Sequence, residues 1–177
     1  MTDQQFVYKV MVIGDPSVGK TSLIRRFVEN RFVEDYISTI GVEFLKKEIW
    51  VEEKAKLTMV LWDTAGQAKW AQFKKAYYKG AVFIIIVFDV TNIKSYYSIK
   101  KWLEESQVIL GGDIDFAIFA NKIDLLEGYE IPTFDDYKHY ESLFEFVETS
   151  AKTGKNVEDT FYNIAKYLLK KFGNLEI

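Results

Sequence analysis

Cysteine is absent from this chain of 177 residues, and histidine occurs once, at His139. The lack of cysteine excludes disulfide frameworks, thiolate metal sites and cysteine nucleophiles. A single histidine removes most routes to a zinc centre or to a Ser-His-Asp triad. Any chemistry must therefore rely on backbone amides, carboxylates, lysine and a bound metal ion.

An excess of positive charge is also missing, since 23 basic side chains stand against 26 acidic ones and the net charge is −3. We therefore expect no broad electrostatic binding of nucleic acid. Arginine is scarce among the basic residues and occurs only at Arg25, Arg26 and Arg31.

The chain has two prolines and no internal repeat or flexible linker that would mark a domain boundary. Its longest apolar run, residues 81–90, is too short to span a bilayer, and the N-terminus lacks the features of a signal peptide. The hydrophobic fraction of 49% and the charged fraction of 28% are ordinary for a globular protein. We predict a single domain over residues 1–177.

Hydrophobic periodicity predicts strands that alternate with helices. The predicted strands cover residues 6–13, 43–51, 56–62, 81–88, 116–120 and 144–148. Apolar side chains at helical spacing predict helices after Lys20, after Ser95 and near the C-terminus. This pattern predicts an α/β fold with an open, mostly parallel six-stranded sheet and helices on both faces. Ligands of such folds bind at the carboxyl ends of the strands.

A phosphate-binding loop follows the first predicted strand. Residues 14–21 read Gly-Asp-Pro-Ser-Val-Gly-Lys-Thr, which fits the pattern G-x-x-x-x-G-K-S/T between a strand and a helix. Backbone N–H groups and the helix N-terminus can surround a phosphate, Lys20 can reach the β- and γ-phosphates, and the Thr21 hydroxyl can bind Mg²⁺. The predicted nucleotide contacts here are Asp15, Ser17, Val18, Gly19, Lys20, Thr21 and Ser22.

A second motif follows residue 62 and reads Asp63-Thr64-Ala65-Gly66-Gln67. Asp63 ends a buried strand and is suited to a Mg²⁺ contact. Gly66 lets a backbone N–H approach a γ-phosphate, and Gln67 can orient an attacking water. The pattern D-x-x-G alone is common and indicates little. Its position in the sequence, about forty residues after the phosphate loop, makes the prediction stronger.

The third and fourth motifs predict recognition of guanine. In Asn121-Lys122-Ile123-Asp124, the Asp124 carboxylate can accept hydrogen bonds from two donors of guanine that adenine lacks. Asn121 can bond the N7/O6 edge of the base, and the stem of Lys122 can lie against its face. Ser150, Ala151 and Lys152 follow the last predicted strand, and they would supply a backbone amide near O6 and a second lysine.

These four segments, in this order and each after a strand, resemble the small GTPases of the Ras superfamily, which have the P-loop NTPase fold. Residues 40–44, 62–67, 77–81 and 89–92 are similar to the Rab subfamily in particular. The resemblance covers essentially the whole chain.

The resemblance implies a molecular switch that binds GTP, GDP and Mg²⁺ and hydrolyses GTP to GDP and phosphate. It implies that Thr39 binds Mg²⁺ and the γ-phosphate, that Tyr36 covers the phosphates and that Phe32 lies beside the guanine. Catalysis would then depend on Gln67, Lys20 and Thr39, and the metal would be held by Thr21, Thr39 and Asp63. Phe44, Trp62 and Tyr77 match the aromatic triad that Rab proteins present to effectors, although ordinary core packing also explains three aromatic residues.

The scarcity of arginine predicts slow intrinsic hydrolysis. An arginine finger contributes roughly 10³–10⁵ in rate, and residues 32–38, which precede Thr39, contain no arginine. We therefore expect a GTPase-activating protein to supply one. A P-loop kinase is a weaker alternative. Such enzymes usually need mobile arginines from a lid to neutralise the transferring group, whereas all arginines here lie within residues 25–31. A nucleotide-binding scaffold without turnover is another alternative.

The expected partners are effectors of the GTP state, a guanine-nucleotide exchange factor and a GTPase-activating protein, and the expected form is a monomer. Rab proteins carry prenylated cysteines in a C-terminal tail. We therefore expect a cytoplasmic protein that reaches the cytosolic face of membranes only if the full-length protein has such a tail.

Overall fold

The computed structural model describes residues 4–33, 42–64, 74–126 and 134–177. Six strands form one sheet in the order β2-β3-β1-β4-β5-β6. Strand β2 is antiparallel to β3, and the other neighbouring pairs are parallel. The strands are β1 (Gln4–Ile13), β2 (Val42–Val51), β3 (Ala55–Thr64), β4 (Ala81–Asp89), β5 (Phe116–Asn121) and β6 (Leu143–Thr149). The prediction of a mostly parallel six-stranded sheet is confirmed.

Helices cover both faces of this sheet, as the sequence predicts. They are α1 (Lys20–Glu29), α2 (Lys74–Tyr78), α3 (Ile93–Leu110) and α4 (Val157–Gly173), with short 3₁₀ turns at Ile123–Leu125 and Phe134–Asp136. Apolar residues of α1 and α4 pack on one face, where the rings of Phe27 and Phe161 stack with centroids 4.1 Å apart. Residues of α2 and α3 pack on the other face together with Tyr137.

Burial along the strands explains their apolar patterns. Every residue of β5 is buried, as are the last seven of β4, because helices cover the sheet on both sides there. Strand β3 instead alternates between buried and half-buried residues, since one of its faces is less covered. The continuous and alternating runs in the sequence correspond to these two environments.

Helix α3 begins at Ile93, earlier than the sequence predicts. Asn92 is its N-cap, and the side chain accepts a hydrogen bond from the Lys94 N–H at 3.2 Å. Ser95, predicted to precede the helix, lies in its first turn, where its buried hydroxyl donates to the Asn92 carbonyl at 2.6 Å. Both residue types can cap a helix, so the sequence alone did not distinguish them.

The parallel register brings the carboxyl ends of the strands to one edge of the sheet. Val12 of β1 pairs with Asp63 of β3, and Asn121 of β5 pairs with Thr149 of β6. The described residues of the four sequence motifs therefore lie along this edge, as the sequence predicts. Within the described residues, no helix is long and apolar enough to cross a membrane.

Candidate functional site

The phosphate loop joins β1 to α1 and requires glycine at its start. Gly14 has φ +140°, and a Cβ atom there would lie 2.2 Å from the carbonyl oxygen of Val87 on β4. Only a residue without a side chain permits this close approach of two backbones. Ser17 also has a positive φ, of 67°, within the curved loop, and Ser22 lies in the first turn of α1.

Lys20 is buried beneath this loop, with 6% of its surface exposed. Its Nζ atom donates to the carbonyl oxygens of Gly14 at 2.9 Å and of Asp15 at 2.7 Å. Burial lowers the pKa of Lys20 to about 8, while the nearby Asp63 and Asp15 act in the opposite direction. An ammonium group has three donors, so the two carbonyl contacts leave capacity for an anion in the loop. A phosphate there would favour the charged form.

Thr21 and Asp63 form the pair predicted to bind the metal. The Thr21 hydroxyl donates to Oδ2 of Asp63, although the two residues are 42 positions apart. Asp63 is fully buried at the end of β3. Carboxylate and hydroxyl oxygens are the hard ligands that Mg²⁺ prefers, so this donor set fits the ion.

Asp124 follows β5 and is oriented by the loop after β6. Its Oδ1 atom accepts a hydrogen bond of 2.5 Å from the Ser150 hydroxyl, and Asp124 itself is exposed. Lys122 precedes it in a left-handed conformation with φ 70°, and its Nζ atom pairs with Asp89 Oδ2 at 2.6 Å. A carboxylate is therefore presented at the surface next to the stem of a lysine.

Asn121 joins the phosphate loop to the turn after β6. Its side-chain N–H₂ donates to the Val18 carbonyl at 2.9 Å, and its Oδ1 atom accepts from the Ala151 N–H at 3.2 Å. Asn121 is fully buried. Gly19 makes room for it, because a Cβ atom at Gly19 would lie 2.3 Å from Asn121 Nδ2. The predicted contact of Asn121 with the purine edge stays a prediction, and the observed contacts assign it a bridging role.

The remaining predicted residues fall into two groups. Phe32 is described and lies half-buried against the core. Tyr36, Thr39, Gly66 and Gln67 lie outside the described residues, so their predicted contacts stay predictions.

Comparisons with known proteins agree with this geometry. A sequence model of the Ras family matches residues 9–170. Similar proteins include the Ras-related protein RABF2a of Arabidopsis thaliana, which is 43% identical over 162 residues that make up 90% of this chain and 80% of the relative. Rab5A of Oryza sativa subsp. japonica is 40% identical over 164 residues, 92% of this chain and 80% of the relative. Human Rab-8B is 36% identical over 167 residues, 94% and 80% of the two chains.

This chain belongs to the Ras family of small GTPases. Its similarity to the Rab-named relatives further supports its assignment as a Rab-like small GTPase, which hydrolyses GTP and acts as a switch.

Two contacts of this small GTPase were not foreseen from its sequence. Trp102 of α3 donates its indole N–H to Asp15 Oδ1 at 2.8 Å, so the Asp15 side chain is held by α3. Arg26 of α1 donates from Nε to the Ala151 carbonyl at 2.8 Å and from a terminal nitrogen to the Lys152 carbonyl at 2.7 Å. Neither contact has a signal in the sequence, because the partners are 87 or more positions apart.

The three residues predicted to form an effector-binding triad, Phe44, Trp62 and Tyr77, are exposed or half-buried, and their binding of effectors stays a prediction. Phe44 has 58% of its surface exposed and stacks on Trp62 with ring centroids 5.8 Å apart. Lys9 Nζ lies 3.6 Å from the centroid of the Trp62 ring and donates to the carbonyls of Tyr77 and Lys79. A side chain as exposed as Phe44 is not explained by packing in the core. Lys9 connects the strand that carries Trp62 to the end of α2.

Proposed function

We propose that this Rab-like GTPase binds GTP and GDP with Mg²⁺ at the carboxyl edge of its sheet and recruits effectors in membrane traffic when GTP is bound. The observation that carries this proposal is the bridge through Asn121. Its side chain bonds both Val18 in the phosphate loop and Ala151 beside Asp124. One rigid side chain thus sets the separation between a phosphate cradle and a guanine-selective carboxylate.

Lys20 and the loop amides bind the β- and γ-phosphates in this proposal. The two carbonyl contacts fix the Lys20 ammonium group before ligand arrives, so little reorganisation is needed on binding. Thr21, Asp63 and Thr39 would hold Mg²⁺, which when bound neutralises charge on the phosphate oxygens. Gln67 orients the attacking water.

At the other end, the Asp124 carboxylate accepts from the ring N–H and the exocyclic amine of guanine. The Ser150 hydroxyl holds one carboxylate oxygen at 2.5 Å and so limits the rotation of the side chain. Adenine lacks this pair of donors, and an unmatched polar group at the site is costly, so selectivity for guanine follows.

Hydrolysis by the chain alone is slow in this proposal. Two arginines pair with other groups of the chain, and none lies in the segment before Thr39 from which an arginine finger would act. Arg25 pairs with Glu43 at 3.3 Å, Arg26 bonds the loop after β6, and residues 32–38 contain no arginine. A GTPase-activating protein would supply the missing positive charge.

In the sequence, Phe44 and Trp62 lie between the two segments that contain Thr39 and Gln67, and Phe44 is exposed while Trp62 is half-buried. Loss of the γ-phosphate contacts of those residues would release both segments on hydrolysis. Effectors that contact the aromatic surface and these segments would then distinguish the GTP form from the GDP form.

The first test is to extract and identify the nucleotide from the purified protein. We expect GDP or GTP, and bound ATP would contradict the proposal. Single-turnover hydrolysis should be slow in wild type, and fast hydrolysis without a partner would refute the inferred need for an external arginine.

Mg²⁺ binding is tested by chelation. EDTA should accelerate GDP release from wild type, and Asp63→Ala should release GDP rapidly with little further effect of EDTA. An Asp63→Ala protein that remained fully sensitive to EDTA would contradict the assignment of Asp63 to the metal site.

Effector recruitment is tested with a nonhydrolysable GTP analogue. Partner capture should depend on the analogue and be lost in Phe44→Ala. Val108→Ala is the matched control, because Val108 is 81% exposed on α3. Equal loss in both variants would argue against a specific aromatic surface, and unchanged cargo transport in cells that lack the protein would argue against a role in traffic.

A further inference from the structure

Arg26 reaches from α1 to the turn that follows β6, 125 positions further along the chain. Its Nε atom donates to the Ala151 carbonyl at 2.8 Å, and one terminal nitrogen donates to the Lys152 carbonyl at 2.7 Å. The other terminal nitrogen contacts the end of its own helix, at the Asn30 carbonyl and Oδ1 at 3.3 and 3.2 Å. The planar guanidinium group therefore holds two consecutive carbonyls of the turn in one orientation.

These two carbonyls determine where the neighbouring amide groups point, because a trans peptide unit holds its C=O and N–H in opposite directions. The Lys152 carbonyl shares its peptide unit with the Thr153 N–H, which donates to Ser150 Oγ at 3.0 Å. The same hydroxyl donates to Asp124 Oδ1 at 2.5 Å. A continuous series of contacts thus runs from Arg26 to the carboxylate that selects guanine.

A second connection closes a ring of contacts around the site. Ala151, whose carbonyl is held by Arg26, donates its N–H to Asn121, and Asn121 donates to Val18 in the phosphate loop. The phosphate loop leads directly into α1, which carries Arg26. Displacement of the turn after β6 would therefore disturb both the Asp124 contact and the bridge through Asn121.

We propose that Arg26 is a positioning residue for guanine recognition, which holds the turn 150–153 so that Ser150 can orient Asp124. This inference rests on the proposed binding of guanine nucleotides. It predicts that Arg26 affects how long the nucleotide stays bound and how well the base is distinguished, without affecting the chemistry at the γ-phosphate.

The variants are Arg26→Met, which removes all its hydrogen bonds, and Arg26→Lys, which keeps the charge but lacks the fork of donors. Arg25→Met is the matched control, because Arg25 is on the same helix and pairs with Glu43 rather than with the turn. Thermal unfolding at saturating GDP would establish that each variant is folded.

Three quantities are compared: release of fluorescent GDP, the ratio of GDP to IDP affinity, and single-turnover hydrolysis of preloaded GTP. IDP lacks the exocyclic amine that Asp124 accepts from, so the ratio reports on that contact. We expect Arg26→Met to release GDP about tenfold faster, the effect of roughly one hydrogen bond to a charged group. The GDP/IDP ratio should fall, and hydrolysis should stay within about twofold of wild type, because the γ-phosphate contacts are unchanged.

Arg26→Lys should recover part of the ratio, and Arg25→Met should leave all three quantities unchanged. A GDP/IDP ratio equal to that of wild type in both Arg26 variants would refute the positioning role, even if GDP release were faster, since general loosening of the fold weakens both nucleotides alike. Failure of the wild type to prefer GDP over IDP would instead refute the proposed function of Asp124.

Discussion

Gly19→Ala should destabilise this GTPase strongly, because Gly19 has a positive φ angle and lies against the Asn121 side chain. Its φ is +97°, and a new Cβ atom would lie 2.3 Å from Asn121 Nδ2. The positive φ costs about 1–2 kcal/mol for a residue with a side chain. Displacing the fully buried Asn121 amide from its hydrogen-bond partners adds about 1–3 kcal/mol. The expected loss in free energy of unfolding is therefore about 2–5 kcal/mol.

Two other glycines separate these contributions. Gly111 ends α3 with φ +78°, and a Cβ atom added there would meet no atom within 4 Å. Gly111→Ala should therefore show only the backbone cost, about 1–2 kcal/mol. Gly112 also has open space within 4 Å and lacks a positive φ, so Gly112→Ala should have almost no effect.

The assay is urea unfolding at a series of GDP concentrations. Bound GDP raises the free energy of unfolding by an amount that grows with the GDP concentration. A variant that binds GDP more weakly shows a smaller rise at a given concentration. The backbone and contact costs instead lower the free energy of unfolding equally at every concentration. The reasoning would be refuted if Gly19→Ala destabilised the protein no more than Gly111→Ala does. In that case the bridge through Asn121 would not be a rigid feature of the site.

Three further predictions address the base, the chemistry and the core. Asp124→Asn should shift nucleotide preference from guanine to xanthine, because the amide N–H₂ can donate to the extra carbonyl of xanthine; competition binding with GDP and XDP checks this, and retained preference for GDP would contradict it. Gln67→Leu should bind GTP with near wild-type affinity and slow its hydrolysis by about tenfold or more, which single-turnover phosphate release measures; unchanged release would exclude Gln67 from orienting the water. Phe27→Ala should lower the free energy of unfolding by about 3–5 kcal/mol in urea, because Phe27 is fully buried and stacks on Phe161; a loss below about 1 kcal/mol would mean that the two helices repack.

Local patterns in the sequence were sufficient to predict the architecture. The apolar runs of β4 and β5 and the spacing of apolar residues in α1 depend on short-range periodicity, which the chain carries within each segment. The phosphate loop was equally predictable, since Lys20 and Thr21 follow a strand and open a helix. The start of α3 was misplaced, because Asn92 and Ser95 are both suitable capping residues.

The sequence by itself thus determined the order of strands and helices, the motifs, and the residue types available for phosphate and guanine. The tertiary structure alone decided how those motifs are held together. Asn121 connects the phosphate loop to the turn after β6, Arg26 holds that turn from α1, and Trp102 holds Asp15 from α3. These contacts join residues 30 to 125 positions apart. They depend on the register of parallel strands and the placement of helices on the two faces, which no local pattern specifies.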